Sequence, residues 1–288
     1  VLFEGGLKRP LHCLPRLLRD AGYTTMASHP YKSNFWGREA AYQHAGFEAY
    51  FPIDAYELDD MDGMFLSDYS SYRQVLDRQD SASPPLFSYV VSLSSHYPFQ
   101  RNTSARPDVL TVTPADGLLG EYANALAWST SAFMDYLEHV LSRDPTALVV
   151  AFGDHAPVLG SQPNPYVKAG LRGSDEGDDL AALSRSPLLV IDGEHGPLAM
   201  GDIPLYELPN ALLSLLQPDV RLHAGIFDAV KGRPRTFLGR TLIPGDATRQ
   251  DESAQWLTCH PGNESCKRSH DVLKDMRTVR RDLAEGRG

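Results

Sequence analysis

Long apolar runs and positive charge are both scarce in this 288-residue sequence, and each absence excludes a class of protein. A membrane-spanning helix needs roughly 18 or more consecutive apolar residues, and the sequence contains no such run. Lys and Arg number 27 against 37 Asp and Glu, a formal net charge of −10 that argues against a nucleic-acid-binding protein. Hydrophobic residues make up 42% of the chain, which is enough for a globular core.

Cysteine is also scarce, and the three cysteines fall into two groups. Cys13 lies in an amphipathic stretch, P-L-H-C-L-P-R-L-L, where we expect a buried apolar residue. Cys259 and Cys266 flank a polar loop with Pro and Gly, a spacing that allows a disulfide or a zinc site shared with His260 or His270. We favour the disulfide because zinc-binding cysteine pairs are usually closer in sequence. A disulfide indicates an oxidising location outside the cytoplasm.

Strand-like and helix-like segments alternate along the chain. The predicted strands are residues 24–27, 86–93, 146–152 and 187–191, and the predicted helices are residues 11–20, 38–45, 122–141 and 205–216. Because the strands are almost continuously apolar, we predict an α/β fold: a mostly parallel central sheet with helices on both faces. The sequence becomes polar after Pro244, so we expect a domain of residues 1–244 and an appendage of residues 245–288, with a charged helix around residues 271–285.

Polar side chains follow two of the predicted strands. Asp154 and His155 come after residues 146–152, and His96 comes after residues 86–93. In open α/β sheets ligands bind beyond the carboxyl ends of the strands, so these side chains are candidates for one shared site. A carboxylate and an imidazole suit a divalent metal. The alternatives are a turn in which Asp154 bonds the backbone, and a histidine that only closes a loop.

Trp36 and Arg38 form a third candidate group, in the segment S-N-F-W-G-R-E. A guanidinium binds phosphate oxygens through two parallel hydrogen bonds, and an indole ring packs against an apolar or polyol surface. The alternative interpretation is a purely structural pair of an aromatic ring and a cation.

Several sequence blocks occur in a fixed order: L-P-R-L-L-R-D-A-G-Y-T-T, F-W-G-R-E-A-A-Y-Q-H-A-G-F, S-L-S-S-H-Y-P-F, E-Y-A-N-A-L-A-W-S-T-S-A-F-M-D-Y-L, A-F-G-D-H, S-P-L-L-V-I and L-Y-E-L-P-N-A-L-L-S-L-L. In these blocks the sequence resembles the sulfatase-like phosphoglycerol transferases of the alkaline phosphatase superfamily. That group includes lipoteichoic acid synthase and the glucan phosphoglycerol transferases of bacterial envelopes. The G-D-H motif alone is weak, whereas the ordered set covers most of the chain.

The resemblance implies metal-dependent transfer of phosphoglycerol from a membrane phospholipid to a hydroxyl of an envelope glycan or polymer, through a covalent threonine intermediate. Asp154 and His155 match the pair that binds the catalytic divalent cation, typically Mn²⁺. Trp36, Arg38 and His96 match residues that line the pocket for the phosphoglycerol head group. The resemblance thus implies a role for every candidate residue named above.

The start of the chain departs from the family pattern. The nucleophile and the second acidic metal ligand of the family precede the L-P-x-L-L block, and this chain begins shortly before that block. We therefore expect an N-terminally incomplete domain, with the nucleophile upstream of Val1 and the fragment itself inactive. Glu4 follows too few apolar residues to end a strand, so we do not expect it to be the missing ligand. Residues 129–131 also differ from relatives, which often carry an Asp in that helix.

By the same resemblance, helices upstream of this chain anchor the parent protein in the inner or cytoplasmic membrane, and the domain faces the periplasm or the exterior. The expected donor is a phospholipid head group, and no nucleic acid is expected as a partner. One rival interpretation is a phosphoethanolamine transferase, sulfatase or phosphodiesterase of the same fold, which the nucleophile would distinguish. Another is a non-catalytic domain that binds an envelope glycan.

Overall fold

A computed structural model of the chain describes residues 10–11, 13–113, 116–157, 159, 166, 186–203, 205 and 207–216, and the backbone of residues 235–237, 241–243 and 257–258. Glu4, the predicted helix at residues 271–285 and the two cysteines of the predicted disulfide lie outside the described residues. In the part that is described, no helix combines the length and the apolar character needed to cross a membrane.

Helices and strands alternate in chain order. The helices are α1 (Leu14–Asp20), α2 (Arg38–Ala45), α3 (Asp68–Asp80), α4 (Gly117–Arg143) and α5 (Leu208–Leu216). The strands are β1 (Thr24–Ser28), β2 (Ala49–Phe51), β3 (Met61–Asp62), β4 (Phe65–Leu66), β5 (Leu86–Val90), β6 (Leu148–Phe152), β7 (Leu188–Asp192), β8 (Gly196–Pro197), β9 (Arg235–Phe237), β10 (Thr241–Ile243) and β11 (Leu257–Thr258).

The first sheet has three parallel strands in the order β2–β1–β5. Met26 of β1 is opposite Ala49 of β2, and Thr24 of β1 is opposite Leu86 of β5. Four of the five residues of the central strand β1 (T-T-M-A-S) are buried, as expected for a strand with neighbours on both sides. The predicted α/β fold with a parallel sheet is thus confirmed.

Helices cover both faces of this sheet. On one face, Leu18 of α1 packs in a cluster with Leu213 of α5 and Phe87 of β5. On the other face, Val90 of β5 packs in a cluster with Val75 of α3. Phe87 and Val90 serve opposite faces because side chains alternate along a strand. The sheet therefore has an apolar layer on each side, and its polar chemistry is confined to the strand ends.

A second sheet contains β6, β7 and β8, and β6 pairs antiparallel with β7. Leu148 lies opposite Asp192, and Phe152 lies opposite Leu188. β7 thus runs antiparallel to its neighbour within a fold that the sequence predicts to be mostly parallel. An apolar run indicates that a strand is buried, whereas it carries little information on the direction of the neighbouring strand. Among the described strands, β5 and β6 each have one edge that no strand pairs.

The chain leaves the parallel sheet earlier than the sequence predicts. β5 ends at Val90, and the backbone N–H groups of Leu93 and Ser94 donate to the carboxylate of Asp68 (2.9 and 3.1 Å). Asp68 is the first residue of α3, a helix that the hydropathy pattern missed because its buried side chains include polar ones such as Ser70. The segment after β5 is thus fixed by a helix terminus instead of by a strand.

Cys13 is partly buried, whereas the sequence suggested a buried apolar residue. It precedes the first residue of α1, and its thiol donates to the backbone carbonyl of Ala45 at the end of α2 (3.2 Å). The side chain therefore lies at the junction of two helix ends, where a polar contact is available. This position explains why its burial is incomplete.

Candidate active site

Trp36 and Arg38 lie where a short 3₁₀ turn enters α2. Trp36 and Gly37 both adopt left-handed backbone conformations, with φ angles of 57° and 64°; for a bulky side chain this is rare and strained. Trp36 is 53% exposed and stacks on Phe35 with ring centroids 5.2 Å apart, and the Arg38 guanidinium lies 5.9 Å from the same ring. Strain of this kind, held at an exposed aromatic residue, is typical of binding sites.

His96 lies in the tight segment that follows β5. Its backbone N–H donates to Leu93 O (3.0 Å), and its carbonyl accepts from Phe99 N–H (2.9 Å). Its ring packs edge-on against Phe65 at 5.7 Å, and Nδ1 lies 2.7 Å from the carbonyl of Tyr97. If Nδ1 donates to that carbonyl, Nε2 of the neutral ring is an acceptor that points away from the backbone.

His29 is a further candidate that the sequence reading missed. It directly follows β1, just as His96 follows β5, and it is only 7% exposed. Burial, together with the charge of Arg38 and a smaller contribution from His96, lowers the pKa of His29 to about 4. The signal was present in the segment S-H-P-Y, because a polar residue at the end of a predicted strand is what identified His96.

Two buried nitrogen atoms in this group, Nδ1 of His29 and Nη1 of Arg38, have no hydrogen-bond partner among the described residues. Buried polar atoms are nearly always hydrogen-bonded, so such atoms need an explanation. A bound anion would pair with Nη1 of Arg38, whose guanidinium group also interacts with the phenols of Tyr42 and Tyr50. The end of the parallel sheet thus has unused hydrogen-bonding capacity next to a cation.

Tyr89 connects this group to the candidate metal ligands. Burial raises the pKa of the Tyr89 phenol, the negative charge of Asp154 raises it further, and Arg38 opposes the rise. Asp154 and Arg38 therefore both lie within electrostatic range of one hydroxyl group of β5. One hydroxyl group of β5 is thus influenced by a residue that follows β6, although the two strands belong to different sheets.

Asp154 and His155 follow β6 after Gly153, which approaches the start of β7 closely. A Cβ atom at Gly153 would lie 3.1 Å from the Cβ of Ser186, so the backbone path favours glycine here. One oxygen of Asp154 accepts from the backbone N–H of His155 (2.8 Å), and the other lies 3.4 Å from Nε2 of His155. The side chains are 80% and 68% exposed.

The orientation of His155 is compatible with metal binding. Its Nδ1 lies 3.0 Å from the carbonyl of Ala156, and donation to that carbonyl leaves Nε2 with its lone pair available to a cation. Asp154 also makes the backbone hydrogen bond expected of an ordinary turn, so both interpretations of this residue have a contact in their favour. Among the described residues, no third His, Cys, Asp or Glu completes a group of three with this pair.

A different acidic cluster lies on the turn between β7 and β8. Ligand atoms of Asp192, Glu194 and His195 lie within 4.8 Å of one another. Asp192 accepts from the backbone N–H groups of Glu194 (2.9 Å) and His195 (3.1 Å). These hydrogen bonds account for the geometry as a capped turn, and we do not assign a metal to it.

A buried ion-pair network supports the hairpin that carries Phe65. Nη1 and Nη2 of Arg106 donate to the two oxygens of Asp60 (2.9 and 2.8 Å), and Nε donates to Asp62 (2.9 Å). The hydrogen bond from Arg106 lowers the pKa of Asp60, and a second one from Ser67 acts in the same direction. The hairpin β3–β4 is thus fixed to the chain beyond β5, and with it the ring that contacts His96.

A known protein family matches most of this chain. The model of the sulfatase family matches residues 2–201, well over half of the chain. The chain belongs to the sulfatase family. This result confirms the resemblance to sulfatase-like members of the alkaline phosphatase superfamily that the ordered sequence blocks indicate.

Curated relatives include two envelope proteins. The chain is 27% identical over 203 residues to a putative cyclic β-1,2-glucan modification protein of Rhizobium meliloti, covering 68% of this chain and 32% of the relative. It is 22% identical over 147 residues to lipoteichoic acid synthase 1 of Bacillus subtilis, covering 49% of this chain and 23% of that protein. The chain thus spans a third or less of the length of these sulfatase-family relatives.

Solved structures share the fold. The lipoteichoic acid synthase LtaP of Listeria monocytogenes superposes with a TM-score of 0.75 at 18% identity, covering 98% of this chain and 75% of that one. The Streptococcus pyogenes phosphoglycerol transferase GacH, solved with sn-glycerol-1-phosphate, gives a TM-score of 0.53 at 15% identity, covering 88% of this chain and 60% of that one. At these identities the likeness establishes the fold of this sulfatase-family chain.

Proposed function

We propose that this domain takes part in metal-dependent transfer of phosphoglycerol from a membrane phospholipid to a hydroxyl group of an envelope glycan or polymer. The observation that carries the proposal is the electrostatic influence of Arg38 on groups at two strand ends. Arg38 lowers the pKa of His29, and it opposes the effect of Asp154 on the pKa of Tyr89. A cation with unused donors beside a carboxylate–imidazole pair suits a phosphoryl group held against a metal ion.

In this proposal Arg38 binds the phosphate oxygens of the head group, and Trp36 packs against the glycerol carbons. His29 is neutral at physiological pH because its pKa is about 4, so it supplies a hydrogen bond and no charge. His96 accepts a hydrogen bond from a glycerol hydroxyl through Nε2, since its Nδ1 faces the carbonyl of Tyr97. The mixed set of donors and acceptors matches a phosphate ester of a polyol.

Asp154 and His155 would hold the divalent cation, for which we propose Mn²⁺, because carboxylate oxygen and imidazole nitrogen are ligands that this ion accepts. A bound cation would neutralise charge on the phosphoryl oxygens and lower the pKa of a coordinated hydroxyl. The exposed position of both side chains leaves room for further ligands from outside the described residues.

The nucleophile and the second acidic ligand remain predictions. We propose a threonine from a segment preceding Val1, whose oxygen bonds to phosphorus as the bond to the diacylglycerol oxygen breaks; the threonine proton passes to that leaving oxygen. The acceptor hydroxyl then displaces the threonine and returns a proton to it. Membrane anchoring by upstream helices, with this domain facing the periplasm or the exterior, belongs to the same proposal.

Calorimetric titration of the 288-residue chain with sn-glycerol-1-phosphate, with and without Mn²⁺, tests the binding half of the proposal. Arg38→Ala removes a charge-assisted donor worth about 1.5–3 kcal/mol, so the Kd for sn-glycerol-1-phosphate should rise about 10- to 100-fold. Arg73→Ala is the matched control. Arg73 is an exposed arginine of α3, and it pairs with Asp59 in the segment before that helix.

Unphosphorylated glucan is the comparison ligand. If the chain bound glucan and showed no affinity for the phosphate ester, a non-catalytic glycan-binding domain would replace the transferase. For the transfer step, a version of the protein extended upstream of Val1 is given phosphatidylglycerol vesicles and Mn²⁺, and diacylglycerol release is measured. Absence of release from an extended protein that carries a threonine at the site would contradict the proposed reaction.

A further inference from the structure

We propose that Asp68 is a positioning residue for the head-group site: its buried carboxylate fixes the chain segment that presents His96. The inference rests on the proposed function, since the placement of His96 affects activity only if the head group binds beside it. Asp68 is distant in sequence from every candidate residue discussed above, and none of the proposed chemical steps uses it.

Three hydrogen bonds join Asp68 to the segment after β5. Its Oδ1 accepts from the backbone N–H of Leu93 (2.9 Å) and of Ser94 (3.1 Å), and its own backbone N–H donates to Ser94 Oγ (2.7 Å). Ser94 is buried, and His96 lies two residues farther along. The N–H of His96 in turn donates to the carbonyl of Leu93, so the peptide groups on both sides of that residue are fixed.

The second oxygen of Asp68 contacts a different helix. Ser129 of α4 donates to Oδ2 (2.5 Å), and Ser129 is itself buried. One carboxylate therefore joins α3, α4 and the segment that carries His96. An aspartate that served only to start α3 would need none of these contacts, because Ser67 already caps the helix by accepting from Ser70 N–H.

The surroundings of Asp68 indicate that it fixes the segment after β5 by accepting hydrogen bonds, and that its negative charge is less important. Asp68 is 1% exposed, and within the described part of the chain no Lys, Arg or His forms an ion pair with it. Burial raises the pKa of the carboxyl group, and the hydrogen bonds from Ser129, Leu93 and Ser94 oppose the rise. An uncharged side chain of the same shape that can still accept should therefore keep the segment in place.

Two substitutions of Asp68 test whether its ability to accept hydrogen bonds is what fixes the segment. Asp68→Asn retains an oxygen for the N–H groups of Leu93 and Ser94, and its amide can donate to Ser129. Asp68→Leu keeps the branching at Cγ and accepts nothing, although its two methyl groups need more space than the carboxylate oxygens. The Kd for sn-glycerol-1-phosphate should therefore stay near that of the unmodified chain in Asp68→Asn, and should rise about tenfold or more in Asp68→Leu, as is typical when a residue that orients a ligand-binding side chain is removed.

Two further measurements distinguish a positioning role of Asp68 from a merely structural one: the Kd of Ser129→Ala and the Mn²⁺ affinity of Asp68→Leu. Ser129→Ala removes the contact to α4 and leaves all three hydrogen bonds to the segment after β5, so it should lower stability without changing the Kd for sn-glycerol-1-phosphate. Mn²⁺ affinity should be unchanged in Asp68→Leu, because Asp154 and His155 follow a different strand. Equal losses of phosphate-ester and Mn²⁺ binding in an Asp68→Leu protein that keeps its circular dichroism spectrum would overturn the inference.

If Asp68→Leu does not fold, Ser94→Ala decides the question, since it removes one of the three hydrogen bonds to the segment and should weaken binding severalfold; unchanged binding overturns the inference. The unmodified chain and Arg38→Ala are measured alongside. If the unmodified chain does not bind sn-glycerol-1-phosphate, the proposed function fails and the inference fails with it. If the unmodified chain binds, Arg38→Ala weakens binding and Asp68→Leu binds normally, only the inference fails.

Discussion

The ends of β5 and β6 carry the two halves of the candidate site, and the molecule holds them very differently. At the β5 end, the segment with His96 is fixed by the buried Asp68, and the neighbouring His29 is itself buried. At the β6 end, Asp154 and His155 are 80% and 68% exposed and contact mainly each other and the adjacent backbone. The backbone that carries His96 is thus anchored to buried groups, although the His96 side chain is itself exposed. At the β6 end, by contrast, both side chains are exposed and lie on less anchored backbone.

This difference indicates how each half would bind its ligand. Binding at a site whose side chains are already fixed loses little conformational entropy, so recognition of the head group at the β5 end should be selective in shape. Binding at exposed side chains must order them first, which costs free energy for each side chain. Metal binding at the β6 end should therefore depend on additional ligands. Head-group binding at the β5 end should depend on buried polar contacts far from the ligand.

Removal of the Arg106 side chain is expected to have the largest effect, because it breaks the support of the β5 end. Arg106 is 7% exposed, and Arg106→Ala leaves the buried Asp62 and the partly exposed Asp60 without their cation, so it should cost about 3 kcal/mol of the free energy of unfolding. Urea unfolding measures the loss. Arg73→Ala, at an exposed pair with Asp59, should change it little.

The same network predicts a dependence on pH. Its hydrogen bonds hold the folded-state pKa of Asp60 below the unfolded value, so its contribution is present above the unfolded pKa, about 4, and is lost as pH falls through the folded pKa. Asp60→Asn should reduce this acid sensitivity. A stability of Arg106→Ala equal to that of Arg73→Ala would mean that the β5 end does not depend on the network.

Asp154→Ala tests the β6 end. Removal of a direct ligand should weaken Mn²⁺ binding at least about 100-fold, at or beyond the upper end of the range seen for residues that only support a ligand. Calorimetry or metal analysis after gel filtration measures it, and stability without metal should be unaffected because the side chain is exposed. Asp192→Ala is the control, on the other acidic cluster. Loss of Mn²⁺ binding in Asp192→Ala alone would transfer the metal site to the β7–β8 turn.

The elements that the sequence predicted well are those with strong apolar patterns. β1, β5, β6 and β7 all lie where apolar runs predict strands, and the long helix α4 begins a few residues earlier than predicted because Asp116 accepts from Leu119 N–H and caps it. α3 was missed because its buried face is polar. Hydropathy reports burial of apolar groups and is silent on buried polar ones.

The sequence predicted the candidate residues that directly follow strands. It did not predict the contacts between residues far apart in the chain. Asp154, His155 and His96 were found from strand ends, and His29 satisfies the same criterion but was overlooked. Arg106 and Asp60 are 46 residues apart in sequence, and Asp68 and Ser129 are 61 apart. Nothing in local periodicity pairs such residues, because only the fold brings them together.

The smallest of the expected effects concerns His29, and it tests whether the β5 end is as closed as its burial indicates. Burial and the neighbouring cations lower the pKa of His29 to about 4, from about 6.5 when unfolded. The folded-state pKa is depressed, so the stabilising contribution is full above pH 6.5 and is lost as pH falls towards 4. Between pH 7 and pH 5 the loss should be about 2 kcal/mol.

His29→Gln keeps a neutral polar side chain and removes the titration, so the difference in unfolding free energy between the two proteins should shrink as pH falls from 7 to 5. NMR titration of the His29 ring protons should give a midpoint near pH 4. Arg38→Ala should raise that midpoint, since it removes a neighbouring positive charge. A midpoint near 6.5 in the unmodified chain would show that water reaches His29 freely, and the contrast between a closed β5 end and an open β6 end would then disappear.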